Sequence, residues 1–348
     1  MFNKSFNING RKVGDGCKPF IIAEMSANHA QNIENAKQII ELAQISGADA
    51  VKIQTYTADT LTLNCKKKHF EAKGAWRGTY LYDLYSSAYM PWDWTKELQL
   101  FAKERGIILF SSPFDNSAVD FLETLEMPAY KIASPEIIDL QLIERVAMTG
   151  KPVIISTGGA TLDQIYEAVE VLKDNSIRDL AILKCTSEYP APANEMNLKT
   201  IADLKSRFNC VVGLSDHSLG SSIPIASIAF GAQIIEKHFI VDKKNKTADS
   251  FFSSTPDEMK EIVHGTNQVW QAKGEINYPK KPNLQRSLIA IEDIKKGDTL
   301  QINKNFRSLR PGGGIEPKFC SKVNLKQAVK DIEFGELLSW DMIEGEGD

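Results

Sequence analysis

Nothing in the 348-residue sequence approaches the 18 consecutive apolar residues that a membrane-crossing helix needs, so no membrane partner is expected. Residues 1–16 lack the apolar core of a secretory signal. The five cysteines (Cys17, Cys65, Cys185, Cys210, Cys320) are scattered and include no CxxC pair. That usage predicts reduced thiols in the cytoplasm rather than a disulfide scaffold. Basic residues do not dominate: 41 Lys and Arg stand against 45 Asp and Glu, a formal net charge of −4. Without a basic stripe there is no face to track phosphates, which argues against nucleic acid as a partner. The first strand is followed by Ala23-Glu24-Met25-Ser26-Ala27-Asn28, which lacks the glycines of a dinucleotide-binding turn.

What the chain has in quantity is one repeated unit. Short apolar runs alternate with segments whose apolar residues recur at helical spacing, as at 33, 36, 40 and 43 or at 162, 165, 169 and 172. Glycines such as Gly47, Gly106, Gly150 and Gly231 close these helices. Eight strand candidates are read, beginning near residues 19, 48, 107, 129, 152, 180, 210 and 232, each followed by a helix. Strand–helix alternation implies a parallel sheet, and eight units imply an α/β fold of the closed (β/α)₈ type, a TIM barrel, over residues 1–271. The connection from Thr55 to Pro91 is long and aromatic, with Tyr56, Trp76, Tyr80, Tyr82, Tyr85 and Tyr89, and reads as a lid or a substrate wall. Residues 272–285 have the polar, proline-containing chemistry of a linker. Residues 286–348 read as a second, small, mainly-β domain with a glycine-rich loop at Arg310-Pro311-Gly312-Gly313-Gly314. At about 60 residues its core would be marginal alone, so it is expected to lean on the barrel or on a partner chain.

Polar residues collect at the strand ends. Cys210-Val211-Val212 leads into Gly213-Leu214-Ser215-Asp216-His217, and Ile234-Ile235 leads into Glu236-Lys237-His238. Two imidazoles just past consecutive strands can share one divalent cation, although either alone is more often an ordinary hydrogen-bonded residue. Strand alternation places Lys52 with Gln54, Lys131 with Ala133, Lys184 with Ile182, and Glu236 with His238, leaving Lys237 on the helix side. Lys52, Lys131 and Lys184 are thus expected to point inward at the C-terminal ends of their strands, where barrel enzymes do their chemistry. Interior lysines are costly without counter-charge. One can pair with Glu24 or Glu136, and three in an acidic protein imply that the missing charge is a ligand, a phosphate or carboxylate anion or a substrate bearing both. Ser134, Ser156, Thr157, Gly158, Gly159, Thr186, Ser187 and Ser215 offer hydroxyl and backbone donors for such an anion, or simply cap the next helix. Cys185, His69 and His264 read as residues without chemical duty, and Asn28-His29 as a loop-ordering pair.

These motifs carry a resemblance. Phe20-Ile21-Ile22-Ala23-Glu24, Asp49-Ala50-Val51-Lys52-Ile53-Gln54-Thr55, Tyr130-Lys131-Ile132-Ala133-Ser134, Gly213-Leu214-Ser215-Asp216-His217 and Glu236-Lys237-His238-Phe239 resemble the sialic acid synthase family. The tail, with Arg286-Ser287-Leu288, Ile294-Lys295-Lys296-Gly297 and Arg310-Pro311-Gly312, is similar to that family's C-terminal antifreeze-like (SAF) domain. The resemblance implies a metal-dependent transferase that joins phosphoenolpyruvate to an amino-sugar aldehyde, giving a nine-carbon ulosonic acid and phosphate by C–O cleavage. It implies that His217 and His238 hold Mn²⁺ or Mg²⁺. Lys52, Lys131, Ser134, Ser156, Gly158, Ser187 and Ser215 would bind phosphoenolpyruvate, and Gln54, Glu136, Tyr189 and Asp249 would face the sugar. Glu24 would transfer a proton or orient water, and Arg310 would arrive from the other subunit of a domain-swapped homodimer. Glu24-Met25-Ser26-Ala27-Asn28-His29-Ala30, Lys184-Cys185-Thr186-Ser187 and Ala248-Asp249-Ser250 resemble the branch whose acceptor is 2,4-diacetamido-2,4,6-trideoxy-L-altrose. Sialic and legionaminic acid synthases share the chemistry and differ in the sugar. Another phosphoenolpyruvate-condensing barrel and a non-catalytic sugar-binding barrel are the further alternatives.

Overall fold

A computed structural model describes residues 1–280 and 285–345. The expected linker falls partly on 281–284, and the end of the expected second domain on 346–348; both lie outside the described residues. The chain forms two compact units, Met1–Gly274 and Glu275–Asp348.

The first unit opens with a hairpin, β1 (Ser5–Ile8) and β2 (Arg11–Gly14). Its two-residue turn, Asn9-Gly10, takes positive φ at both positions, the type I′ geometry that matches strand twist. Eight parallel strands follow: β3 (Phe20–Glu24), β4 (Ala50–Thr55), β5 (Ile108–Pro113), β6 (Tyr130–Ile132), β7 (Val153–Ser156), β8 (Leu180–Cys185), β9 (Val211–Asp216) and β10 (Ile234–His238). They pair in sequence order, and β10 closes onto β3 with Ile234 opposite Phe20 and His238 opposite Glu24. This is the closed barrel that the strand–helix alternation predicts. The strand boundaries move slightly: Glu24 and His238 belong to their strands instead of following them.

Two hydrophobic clusters separate the faces of each strand. Val51, Ile53, Tyr130, Ile132, Ile155 and Ile182 pack outward against the helices. Phe20, Ala50, Phe110, Ile154, Leu183 and Ile234 fill the interior. Phe6, Ile8 and Val13 of the hairpin join the interior cluster, so the lead-in plugs the N-terminal end of the barrel. Chemistry is left to the other end.

The outer layer runs α1 (Ile33–Ile45), then α2 (Ala58–Leu61) and α3 (Leu81–Ala88) inside the long connection, then α4 (Trp94–Glu104), α5 (Asn116–Glu123), α6 (Leu140–Ala147), α7 (Leu162–Asp174), α8 (Lys199–Phe208), α9 (Ser222–Ser227) and α10 (Pro256–Ala272). Caps set several of these starts. Thr161 with Gln164 and Thr255 with Glu258 form reciprocal capping boxes. For Thr161 the capping role is therefore the observed one.

The second unit has one antiparallel pair among its described residues, β11 (Ser287–Ala290) with β12 (Phe306–Leu309), and a short helix α11 (Cys320–Val323). Isolated antiparallel bridges such as Ile294 with Ile332 and Ala328 with Ile343 extend it. Its own core includes Leu288, Leu300, Phe306, Val323 and Leu338.

Candidate active site

Strand register lines up a ring of inward side chains at the C-terminal end of the barrel. Glu24 lies opposite Lys52, Cys185 opposite Ser215, and Ser215 opposite Glu236. Lys131 and Ser156 complete the ring from β6 and β7, since their neighbours Ile132 and Ile155 face outward. Lys52 and Lys131 are fully enclosed, at 3% and 2% exposure.

The counter-charge expected from a ligand comes in part from the protein: Glu24, one of the expected partners, and Glu236 face the two lysines. Lys52 Nζ stands 2.9 Å from Glu24 Oε2 and 3.5 Å from Glu236 Oε1, and donates to Ser112 Oγ at 3.0 Å. Lys131 Nζ is 3.9 Å from Glu236 Oε2 and donates to the Ile132 carbonyl at 3.1 Å. Burial works against the Lys52 ammonium, but Glu236 and Glu24 outweigh it and hold its pKa above the ordinary lysine value. The carboxylates around Lys131 stand farther off, so burial prevails, helped by the like charge of Lys52, and its pKa falls. Burial would raise Glu236, yet Lys131 and Lys52 keep it below the usual carboxylate range. Glu24 goes the other way: burial dominates and the neighbouring Glu236 charge adds to it. Gln54 donates to Glu24 Oε1 at 2.7 Å and to Ser26 Oγ at 3.1 Å, fixing the carboxylate's orientation.

Lys184 does not join this cluster. Its face-mate Ile182 packs outward, so Lys184 also leaves the barrel, and it donates to Thr186 Oγ1 at 2.9 Å and to the Cys185 carbonyl at 2.6 Å. The expectation of three inward lysines is thus reduced to two. Lys237 is outward as expected and makes its own buried pair with Asp216 Oδ2 at 2.6 Å.

Beside the lysines lies a small polar cradle. Ser134 Oγ accepts the Gly158 N–H at 2.9 Å, which leaves the hydroxyl proton free to be donated. A Cβ on Gly158 would come to 3.1 Å from Cys185 Sγ and closer still to Ser134 Oγ and Ser187 Oγ, so only glycine leaves this space open. Ser156 Oγ is buried with no hydrogen-bond partner among the described residues, as is Glu136 Oε2. Buried polar atoms are seldom left unpaired, and two beside buried lysines mark a place for a polar ligand.

The histidines sit just above. Their ring centroids are 5.4 Å apart, and the Tyr189 ring lies 4.2 Å from that of His217. His217 Nδ1 is 2.9 Å from the Thr186 carbonyl, which can only accept, so Nδ1 carries a proton. Burial works against the charged ring, but Cys185 and that hydrogen bond raise its pKa, so Nε2 becomes a ligand on losing its own proton. His238 Nδ1 is buried without a hydrogen-bond partner among the described residues, 3.7 Å from Asp249 Oδ2. Burial, and next the charge of His217, push the His238 pKa well below the ordinary value, so its ring is neutral, as a ligand must be. No group of three or more His, Cys, Asp or Glu side chains converges as a metal cluster among the described residues. Two imidazole nitrogens, that of His238 an orphaned buried atom and that of His217 able to give up its proton, therefore fit a cation whose other positions come from outside the protein. Burial raises Asp249, against hydrogen bonds from Ser26 and the Ala27 backbone.

Arg310 is exposed and belongs to the second unit, immediately after β12. Asn28 donates to the Phe239 carbonyl at 3.0 Å and to Ser253 Oγ at 2.8 Å, so it orders the loop after β10. Three site residues escaped the sequence reading. Glu236 shares a face with His238 and could have been found by balancing the inward lysines. Cys185 lies with its sulfur 3.8 Å from His217 Nδ1. Burial would raise its pKa, but His217 brings it down to about 7. Ser112, the Lys52 acceptor, carried no signal beyond alternation along β5.

Residues 39–278 match the NeuB family. The chain is 45% identical over 328 residues to a pseudaminic acid synthase of Campylobacter jejuni subsp. jejuni, covering 92% of this chain and 95% of that protein. It is 41% identical over 334 residues to a pseudaminic acid synthase of Helicobacter pylori, covering 94% and 98%. Among solved structures, the N-acetylneuraminic acid (sialic acid) synthetase of Leptospira borgpetersenii, determined in complex with citrate, superposes with a TM-score of 0.73 at 29% identity, covering 81% of this chain and 94% of that one.

Proposed function

The chain belongs to the NeuB family, the sialic acid synthase family that its motifs resemble, and we infer that it is a pseudaminic acid synthase. It condenses phosphoenolpyruvate with 2,4-diacetamido-2,4,6-trideoxy-L-altrose and water, releasing phosphate. The observation that supports this reading most is the ring of Lys52, Lys131, Ser156 and Glu236 beside the Gly158 cradle, directly under a pair of neutral-capable imidazoles.

Lys52 and Lys131 hold the carboxylate and phosphate of phosphoenolpyruvate, with Ser134, Ser156, Ser187 and Ser215 donating to their oxygens. C3 of phosphoenolpyruvate forms the new bond to the aldehyde carbon, water adds at C2, and C–O cleavage expels phosphate. Holding both anionic ends is positioning plus electrostatics. His217 and His238 would bind Mn²⁺ or Mg²⁺, which when bound supplies Lewis-acid polarisation of the acceptor's carbonyl. Glu24, oriented by Gln54, moves a proton to or from the water that adds at C2. Gln54, Glu136, Tyr189 and Asp249 face the sugar. We divide the chain into a barrel domain (1–271), a linker (272–285) and an SAF-like domain (286–348) that delivers Arg310 to a partner's site in a domain-swapped homodimer. The exposed Arg310 and the exposed apolar Leu325 and Phe334 support that arrangement. Five free cysteines support a cytoplasmic location.

The test is phosphate release from phosphoenolpyruvate and Mn²⁺ with either the diacetamido-altrose or N-acetylmannosamine, before and after chelation. Release with the altrose sugar alone, abolished by chelator, is expected. Release with N-acetylmannosamine alone would retain the chemistry and overturn the acceptor.

A pH dependence follows from Glu136. Burial, with a smaller push from Asp139, raises its pKa to about 7, against its own backbone N–H and Lys131. It therefore keeps its proton in acid and neutral solution and can donate to an acceptor oxygen there. kcat/KM should fall as pH rises through about 7, and Glu136→Gln, which cannot titrate, should flatten that limb. A pH profile unchanged by the substitution would remove Glu136 from the proton inventory.

A further inference from the structure

The mouth of this site is lined by aromatic rings on the side where the histidines lie. Trp76, carried by the long connection after β4, has its ring centroid 5.3 Å from that of Tyr189 and 6.5 Å from that of Phe251. Tyr189 in turn lies against His217, and Phe252 lies 4.7 Å from His238 and 5.0 Å from Tyr189. The Trp76 indole is not loose: Nε1–H donates to the Ala248 carbonyl at 2.9 Å, one residue before Asp249. Phe251 remains 43% exposed, and Trp76 is half-buried.

An apolar surface kept open beside charged groups needs an occupant, because exposed aromatic area is unfavourable unless a ligand covers it. The occupant must be apolar on one face, since the indole's single donor is already used by Ala248. It must also carry polar groups, to meet Glu136, Gln54 and Asp249, the residues proposed above to face the sugar. A pyranose-derived amino sugar lacking one hydroxyl has that character: its C–H face and methyl group are apolar, and its acetamido groups are polar.

We propose that Trp76 is a specificity-determining residue that, with Tyr189 and Phe251, forms the wall receiving the 6-methyl end of the acceptor sugar. This rests on the acceptor assigned above and deepens it. Apolar walls select a methyl over a hydroxymethyl only modestly, by ~10–100-fold, because a hydroxyl can turn toward water. That bounds the effect of losing the wall.

The experiment compares wild type, Trp76→Ala and Trp76→Phe with two acceptors, the diacetamido 6-deoxy sugar and its 6-hydroxy counterpart. The KM for phosphoenolpyruvate is measured in each. In wild type the 6-deoxy sugar should be preferred. In Trp76→Ala its kcat/KM should drop ~10–100-fold while the 6-hydroxy sugar loses less, so the preference collapses by about 10-fold. The KM for phosphoenolpyruvate should stay within about twofold, since its lysines lie below the wall. Trp76→Phe, which keeps a ring and the fold, should retain most of the preference. A parallel fall for both sugars in the two variants would sink the wall and leave the acceptor assignment standing. A wild-type enzyme that prefers the 6-hydroxy sugar would overturn the assignment and the wall together.

Discussion

Replacing Lys52 with methionine should cost roughly 3–5 kcal/mol of folding stability at neutral pH and reduce phosphate release by at least about 1,000-fold. The stability loss does not come from the lysine's own attraction, much of which is offset by its desolvation. It comes from what is left behind. Glu24 at 1% exposure and Glu236 at 5% would lose the ammonium that stands 2.9 and 3.5 Å from them, and two carboxylates cannot both remain charged in a dry site. Glu24, already raised by burial, would rise further and take a proton. The sign of the pH dependence follows. A carboxylate whose folded pKa lies above its unfolded value destabilises the fold once pH exceeds the unfolded value, and the penalty disappears below it. The deficit of Lys52→Met should therefore be largest near pH 7 and shrink toward pH 4. Adding Glu24→Gln should recover part of the stability, because the orphaned charge is gone, and none of the activity. Urea denaturation of the two single variants and the double variant gives the coupling directly. A single variant as stable as wild type at pH 7 would show that the buried pair is not holding this end of the barrel.

That cluster also shows where the sequence was readable. Alternation along β4 and β6 placed Lys52 and Lys131 inside because Val51, Ile53, Tyr130 and Ile132 are large apolar residues that must face the helices. The same rule misplaced Lys184, because β8 is apolar on both faces and Leu180-Ala181-Ile182-Leu183 gives no contrast from which to choose a side. The hidden partner, Glu236, could have been inferred from charge balance: two enclosed ammonium groups in an acidic protein need an enclosed carboxylate. The Gly158 cradle was out of reach. Its shape depends on Ser134, Cys185 and Ser187 arriving from two other strand ends, and no local pattern encodes that meeting. Trp76 was visible as part of an aromatic insertion, but its contact with Tyr189 is a tertiary fact.

Removing either histidine should abolish metal-dependent stabilisation as well as turnover, and the two readouts separate binding from chemistry. In the proposed metal pair, His217 donates its Nδ1–H to the Thr186 carbonyl, and burial keeps His238 neutral with an Nδ1 that has no partner among the described residues. If the pair supplies the two protein donors, loss of one leaves a single imidazole, which cannot compete with water for Mn²⁺ or Mg²⁺. Saturating metal should stabilise wild type by ~4 kcal/mol at 1,000 times its Kd, and should leave His217→Ala and His238→Ala unmoved. Phosphate release should fall by about 1,000-fold or more in both, since several kcal/mol of charge stabilisation is lost. The metal-free proteins should differ less. In wild type without metal the His238 Nδ1 is an unpaired buried atom, so deleting the ring removes an unfavourable group along with its packing, and the net change should stay below about 2 kcal/mol. Cysteine can be excluded as the missing donor by the same design: Cys185→Ser, beside His217 but outside the proposed pair, should keep the metal-dependent shift. Retained metal stabilisation in His238→Ala would move the cation away from the strand ends and undo the two-imidazole assignment.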